Sequence, residues 1–214
     1  MLQSLKLFIK NSNYLNLKNL NLNLFVPGKR DQNSLIIAFG NFKLSKARNA
    51  QINIGSGFLF LNKPMRVAEP FFGMIEMGAH SSINVVDTFS IHSGCHIIIL
   101  NNARLNLGSG YINRNLKIRC YNEISIGNNV AISENVTIWD SDVHSLLGTS
   151  SEASQAVTIE DNVWIGNNVT ILKGVTIGEG AVIAAGTLVN KNIPKQTLAG
   201  GIPAKVLKEN IEWK

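Results

Sequence analysis

The stretch VTIWDSDVHSLLG (Val136 to Gly148) places two aspartates and a histidine within five residues: Asp140, Asp142 and His144. Imidazole is the side chain suited to taking up and returning a proton near neutral pH. A carboxylate beside it can hold the ring in one tautomer, yet aspartate is also a common turn residue. The residues on either side of this stretch follow a regular period. The scaffold breaks its rhythm at this point and exposes titratable groups there.

The elements that must position them come from a six-residue repeat. Successive hexads open with Ile159, Ile165, Ile171, Ile177, Ile183 and Val189, and upstream with Ile126, Ile132 and Ile138. Three short strands per turn, one aliphatic on each pointing inward, make a triangular coil of about eighteen residues whose apolar columns stack from coil to coil. Small residues four places on (Val163, Val169, Val175, Ala181, Thr187) fill the tapering corners. Glycine and asparagine between strands suit the sharp turns. Looser versions of the pattern run through INIGSG, IEMGAH, FSIHSG and LNLGSG, so that about eight coils are expected from residue 50 to 195.

Three regions follow from this reading. Residues 1–49 form a basic N-terminal cap, in which the Leu/Asn/Lys alternation of YLNLKNLNLNLFV predicts a strand over the open end of the stack. Residues 50–195 form an all-β coil interrupted by the His-bearing loop 139–157. Residues 196–214 form a C-terminal segment in which AKVLKENIEWK predicts a short helix.

Charge is uneven along the chain. Residues 1–66 hold ten Lys/Arg against one acid (Asp31), whereas residues 67–214 hold ten against thirteen. The basic end suits an anionic surface such as a membrane or a polyanionic glycan. Nucleic acid is not expected, because aromatics are not interleaved with the basic residues and no recognition motif is present. No apolar run is long enough to span a membrane, and the N-terminus has no signal-peptide pattern. Cys95 and Cys120 are expected as buried, reduced thiols.

The stretch DNVWIGNNVTILKGVTIGEGAVIAAGTLVNKNIP and the AGGIPAKVLK that follows make the chain resemble the hexapeptide-repeat acyltransferases, closely over residues 124–208 and loosely from 50. The resemblance implies a left-handed parallel β-helix, a hand that general crossover rules would not supply. It also implies that His144 is the general base of acetyl transfer, supported by Asp142 or Asp140, with Ser141 and Ser145 as polar lining. The form DSDVHS departs from the galactoside and maltose enzymes, in which the histidine comes one residue earlier and precedes proline. It is more similar to the branch that acetylates surface polysaccharides.

By the same resemblance, acetyl-CoA is the donor. Trp164 stands beside the thioester end and Asn167 near the thiol. Pantetheine meets main chain at Ala185 and Gly186, where small side chains let it approach. Asn190 and Lys191 fall at further cofactor positions, and Pro194 packs on the adenine. Lys205 and Lys208 stand where the family often has arginines on the nucleotide phosphates; a lysine meets them as a point charge. No metal is expected. The gamma-class carbonic anhydrases share the fold and bind metal through three histidines, but His80 and His92 are only twelve apart here, and His80, His92 and His96 read as structural. Expected partners are a carbohydrate acceptor and two further copies of the chain in a homotrimer, in the cytoplasm or against the inner membrane face. N-acetylation of an amino-sugar nucleotide and a non-catalytic β-helix scaffold are the alternatives.

Overall fold

The computed structural model describes residues 10–66, 69–144 and 152–214. Among them, three sheets of nine, seven and six strands, parallel except for the last strand of the nine, form the sides of a left-handed β-helix. The first face begins with Leu35–Ala38, the second with Phe42–Lys46 and the third with Gln51–Ile54. Every third strand thereafter returns to the same face.

Register explains the repeat. Ala38, Leu61, Ile91, Ile112, Ile132, Ile165, Ile183 and Ala199 stack along the first face. Leu44, Ile75, Ile97, Ile118, Ile138, Ile171 and Val189 do so along the second. Ile54, Val85, Leu107, Ile126, Ile159 and Ile177 line the third, where Ile193 bridges to Ile177. Nearly all of these side chains are fully buried, each contributing about 1.5–3 kcal/mol. The predicted corner fillers Val163, Val169, Val175, Ala181 and Thr187 are buried as well. Turns between faces place asparagines such as Asn115, Asn135 and Asn168 in the left-handed region, as well as His80. Cys95 and Cys120 are buried free thiols, and burial pushes Cys95 up to about 12.

Three expectations are corrected. The coil starts at Leu35, inside the region assigned to the cap, and completes about seven turns, not eight from residue 50. The alternating N-terminal stretch is a helix, Leu17–Phe25, not a strand. Asn16 caps it, its side chain accepting from the Asn19 backbone N–H. Asn19 and Asn23, one helical turn apart, explain the choice. The Asn19 side chain accepts from the Ala38 N–H, while Asn23 both accepts from and donates to Ile36. Two amides thereby satisfy the free edge of the first strand, which a strand cap would otherwise have to cover. At the other end, Lys205–Glu209 is a strand, not a helix, and pairs antiparallel with Thr197–Gly200. Helix propensity yields there to the unpaired edge of the final coil.

Candidate active site

The interruption falls at the corner between the second and third faces. Strand Thr137–Trp139 ends the second face, and Val157–Ile159 resumes the third in register with the coil above. Ser141 ties the neck of the loop. Its hydroxyl donates to the Ala153 carbonyl and accepts from the Val143 N–H and the Ser154 hydroxyl. Ser141 is buried and structural, so the lining role expected of it is not what its contacts show. Ser145 and residues 146–151 lie outside the described residues.

Asp140 is fully buried, and its two oxygens accept from the Tyr121 and Asn122 N–H groups of the preceding coil at 2.7 and 2.8 Å. Burial raises its pKa against the pull of those N–H groups and the Cys120 thiol. Its carboxylate is committed to the corner rather than to His144. Asp142 is exposed and forms an ion pair with Lys173 at 2.7 Å. His144 is exposed at the loop's leading arm, its backbone N–H donating to the Asp142 carbonyl. Among the described residues, no side-chain hydrogen bond joins the imidazole to either aspartate. Sequence reasoning missed Lys173, which also donates to the Glu152 carbonyl on the loop's returning arm. Its place in the turn ILKGVT reads only as a corner residue.

The cofactor candidates are spread over two corners, the first face and the terminal strand. Trp164 projects from the first face and stands 5.9 Å, ring to ring, from Trp213, whose indole N–H donates to the Asn162 carbonyl. Trp213 was not singled out either, since its partner lies far away in sequence. Asn167, Ala185 and Gly186 share the corner between the first and second faces. The Asn167 side chain accepts from the Glu134 N–H, and its carbonyl accepts from Gly186. Gly186 has φ +72°, and a Cβ built there meets nothing within 4 Å, so the backbone faces open space. Asn190 and Lys191 are exposed at the loop's own corner, one coil beyond Lys173, with Pro194 exposed just after. Lys205 and Lys208 lie on the terminal strand opposite Gly200 and Leu198. Within one chain, His144 and the Asn167–Gly186 group therefore stand on different edges of the triangle. Among the described residues no group of three or more His, Cys, Asp or Glu converges on one point.

Residues 156–191 match the family described as bacterial transferase hexapeptide (six repeats). Galactoside O-acetyltransferase of Escherichia coli is 44% identical over 102 residues, 46% of this chain and 50% of that protein. A putative acetyltransferase of Saccharomyces cerevisiae is 43% identical over 106 residues, 48% and 54% of the two chains. The chain thus spans about half the length of the curated relatives it matches. In overall fold it is similar to AntD, an N-acyltransferase from Bacillus cereus, with a TM-score of 0.51 and 15% identity over 92% of this chain and 89% of that one. A six-residue repeat stacked into a left-handed β-helix, with a loop at one corner and a small-residue corner beside it, makes the chain similar to the hexapeptide-repeat acyltransferases.

Proposed function

We propose that the protein is an acetyl-CoA-dependent O-acetyltransferase acting on a sugar hydroxyl. The observation that carries this is an exposed His144 on a loop pinned by Lys173 at one corner and an open Ala185–Gly186 backbone at another. The relatives named for galactoside acetyl transfer support the same reaction. His144 takes the proton from the acceptor hydroxyl as its oxygen attacks the thioester carbonyl. A main-chain N–H at the small-residue corner is suited to the developing oxyanion. The proton then passes from the imidazolium to the departing thiolate, so charge balances at each step. Ala185 and Gly186 admit the pantetheine arm, and Lys205 and Lys208 offer positive charge to its phosphates.

In this reading the active site forms between neighbouring chains of a homotrimer, because His144 and the Asn167 corner lie on different edges. The basic residues of 1–66 bring the enzyme to an anionic membrane face on the cytoplasmic side, and the acceptor is a surface polysaccharide or its precursor. Calorimetric titration with acetyl-CoA, dephospho-CoA as comparison, tests the donor: one site per chain is expected, with weaker binding of the dephospho form. His144→Ala retaining that binding while losing turnover completes the test. Absence of binding at millimolar acetyl-CoA refutes the reading.

A further inference from the structure

A second departure from the six-residue rhythm lies between the strands Phe58–Lys63 and Gly73–Met77, at the corner shared by Asn167 and Gly186. Here the chain carries Glu69 into the protein, its side chain only 7% exposed. The carboxylate accepts from the Ser93 hydroxyl and lies 3.3 Å from Arg114 Nε, which also approaches Glu134 at 3.9 Å. The Arg114 contact falls short of hydrogen-bond geometry, so a buried guanidinium N–H is left without an acceptor among the described residues. His92, next to Ser93, likewise has a buried Nδ1 with no partner among them. Beside the carboxylate, a cavity of about 500 Å³ is lined by Phe39, Gly40, Asn62, Pro64, Glu69, Pro70 and Ser93. The rings of Phe71 and Phe72, next along the chain, are 37% and 48% exposed.

We infer that this corner is a glycan subsite, holding sugar units of the acceptor remote from the hydroxyl that is acetylated. The inference rests on the proposed transferase reading for its place in the reaction, but not for its binding chemistry. Exposed aromatic rings cover the apolar C–H face of a sugar. A buried carboxylate and a partly exposed guanidinium, already oriented by each other, take its hydroxyls as acceptor and donor. Pockets that fix orientation are built this way, with apolar walls and a few placed polar groups. A phosphate ligand fits poorly, because Glu69 and Glu134 both face Arg114. A purely apolar ligand would strip solvent from a buried carboxylate without replacing its hydrogen bonds.

The corner's polar line points the same way. Glu69 meets Arg114, Arg114 meets Glu134, and the Glu134 backbone N–H donates to the Asn167 side chain. From Ser93 to Asn167 is three coils, roughly 14 Å along the axis. An acceptor chain of a few sugar units spans that distance.

The test is direct binding in the absence of acetyl-CoA. Saturation-transfer NMR and calorimetry on the full chain would use neutral galacto-oligosaccharides from monomer to hexamer. Binding that strengthens with chain length is expected, weakened roughly tenfold by Phe72→Ala, an exposed ring contact, and by Glu69→Gln. Phe72→Ala should keep the parent's thermal midpoint, which separates lost contact from lost fold. Equal, length-independent behaviour of all oligosaccharides, or identical affinities in the parent and both variants, overturns the subsite. Acetyl-CoA titrated in parallel separates the two readings. If it binds while no glycan does, the subsite alone fails. Length-dependent glycan binding without acetyl-CoA binding upholds the subsite and overturns the transferase.

Discussion

Replacing Lys173 by methionine tests whether the loop bearing His144 is held in place by one side chain. Lys173 is 13% exposed, and its ammonium joins Asp142 on the outgoing arm to the Glu152 carbonyl on the returning arm. The Asp142 side chain is 54% exposed, so solvent screens the pair and its contribution is reduced to about 1 kcal/mol. The bond to the Glu152 carbonyl adds about another 1 kcal/mol. The sum falls on the loop alone, because Ile138 and Ile171, the inward residues nearby, are untouched. If that energy holds His144 in its reactive pose, about 2 kcal/mol corresponds to a fall in kcat of roughly thirtyfold. Steady-state kinetics on Lys173→Met should show that fall with KM for acetyl-CoA unchanged, since Ala185 and Gly186 sit on another corner. The thermal midpoint should move by only a few degrees. An unchanged kcat in this variant, alongside an inactive His144→Ala, would refute the latch.

Three further outcomes are expected. Asp140→Asn leaves one of the Tyr121 and Asn122 N–H groups facing an amide instead of an acceptor, costing about 1–3 kcal/mol in denaturant unfolding. Because burial raises the Asp140 pKa, the parent has that group's full stability below the ordinary aspartate value and loses it as pH rises through the folded value. The gap between parent and variant should therefore be widest in acid and narrow toward neutrality. Ala185→Leu should leave unfolding unchanged, since the side chain is exposed, and weaken acetyl-CoA binding at least tenfold by calorimetry. Asn19→Ala removes the acceptor for the buried Ala38 N–H and should lower stability by about 1–3 kcal/mol.

The coil was legible because its physics is periodic: each inward isoleucine announces the next, and the registers from Ile126 to Val189 follow the hexads residue for residue. The two ends were not. At both, the deciding force is an unpaired sheet edge, a property of the finished coil rather than of any local window. Alternating leucines could not reveal that Asn19 and Asn23 would serve that edge from a helix. The hairpin of Lys205–Glu209 overrode its own helical composition for the same reason. At the candidate site, residue types singled out His144 and the small-residue corner. They could not separate Asp140 from Asp142, because burial decides which carboxylate is committed to backbone. Glu69, Arg114 and Lys173 escaped notice because their partners lie whole coils away.

The corner insertions give the molecule a modular economy. Ile138 and Ile159 keep their places in the apolar columns although the whole loop 140–156 intervenes between their strands. The ladder is thus blind to what leaves it at a corner, provided the chain returns in register. Doubling such a loop raises its closure entropy by only about 0.6 kcal/mol, less than one buried methylene contributes. Descendants of this chain are therefore free to lengthen, shorten or exchange the segments at 64–72 and 140–156 on an unchanged shaft. Changes confined to those two corners leave the columns that fold the protein in place.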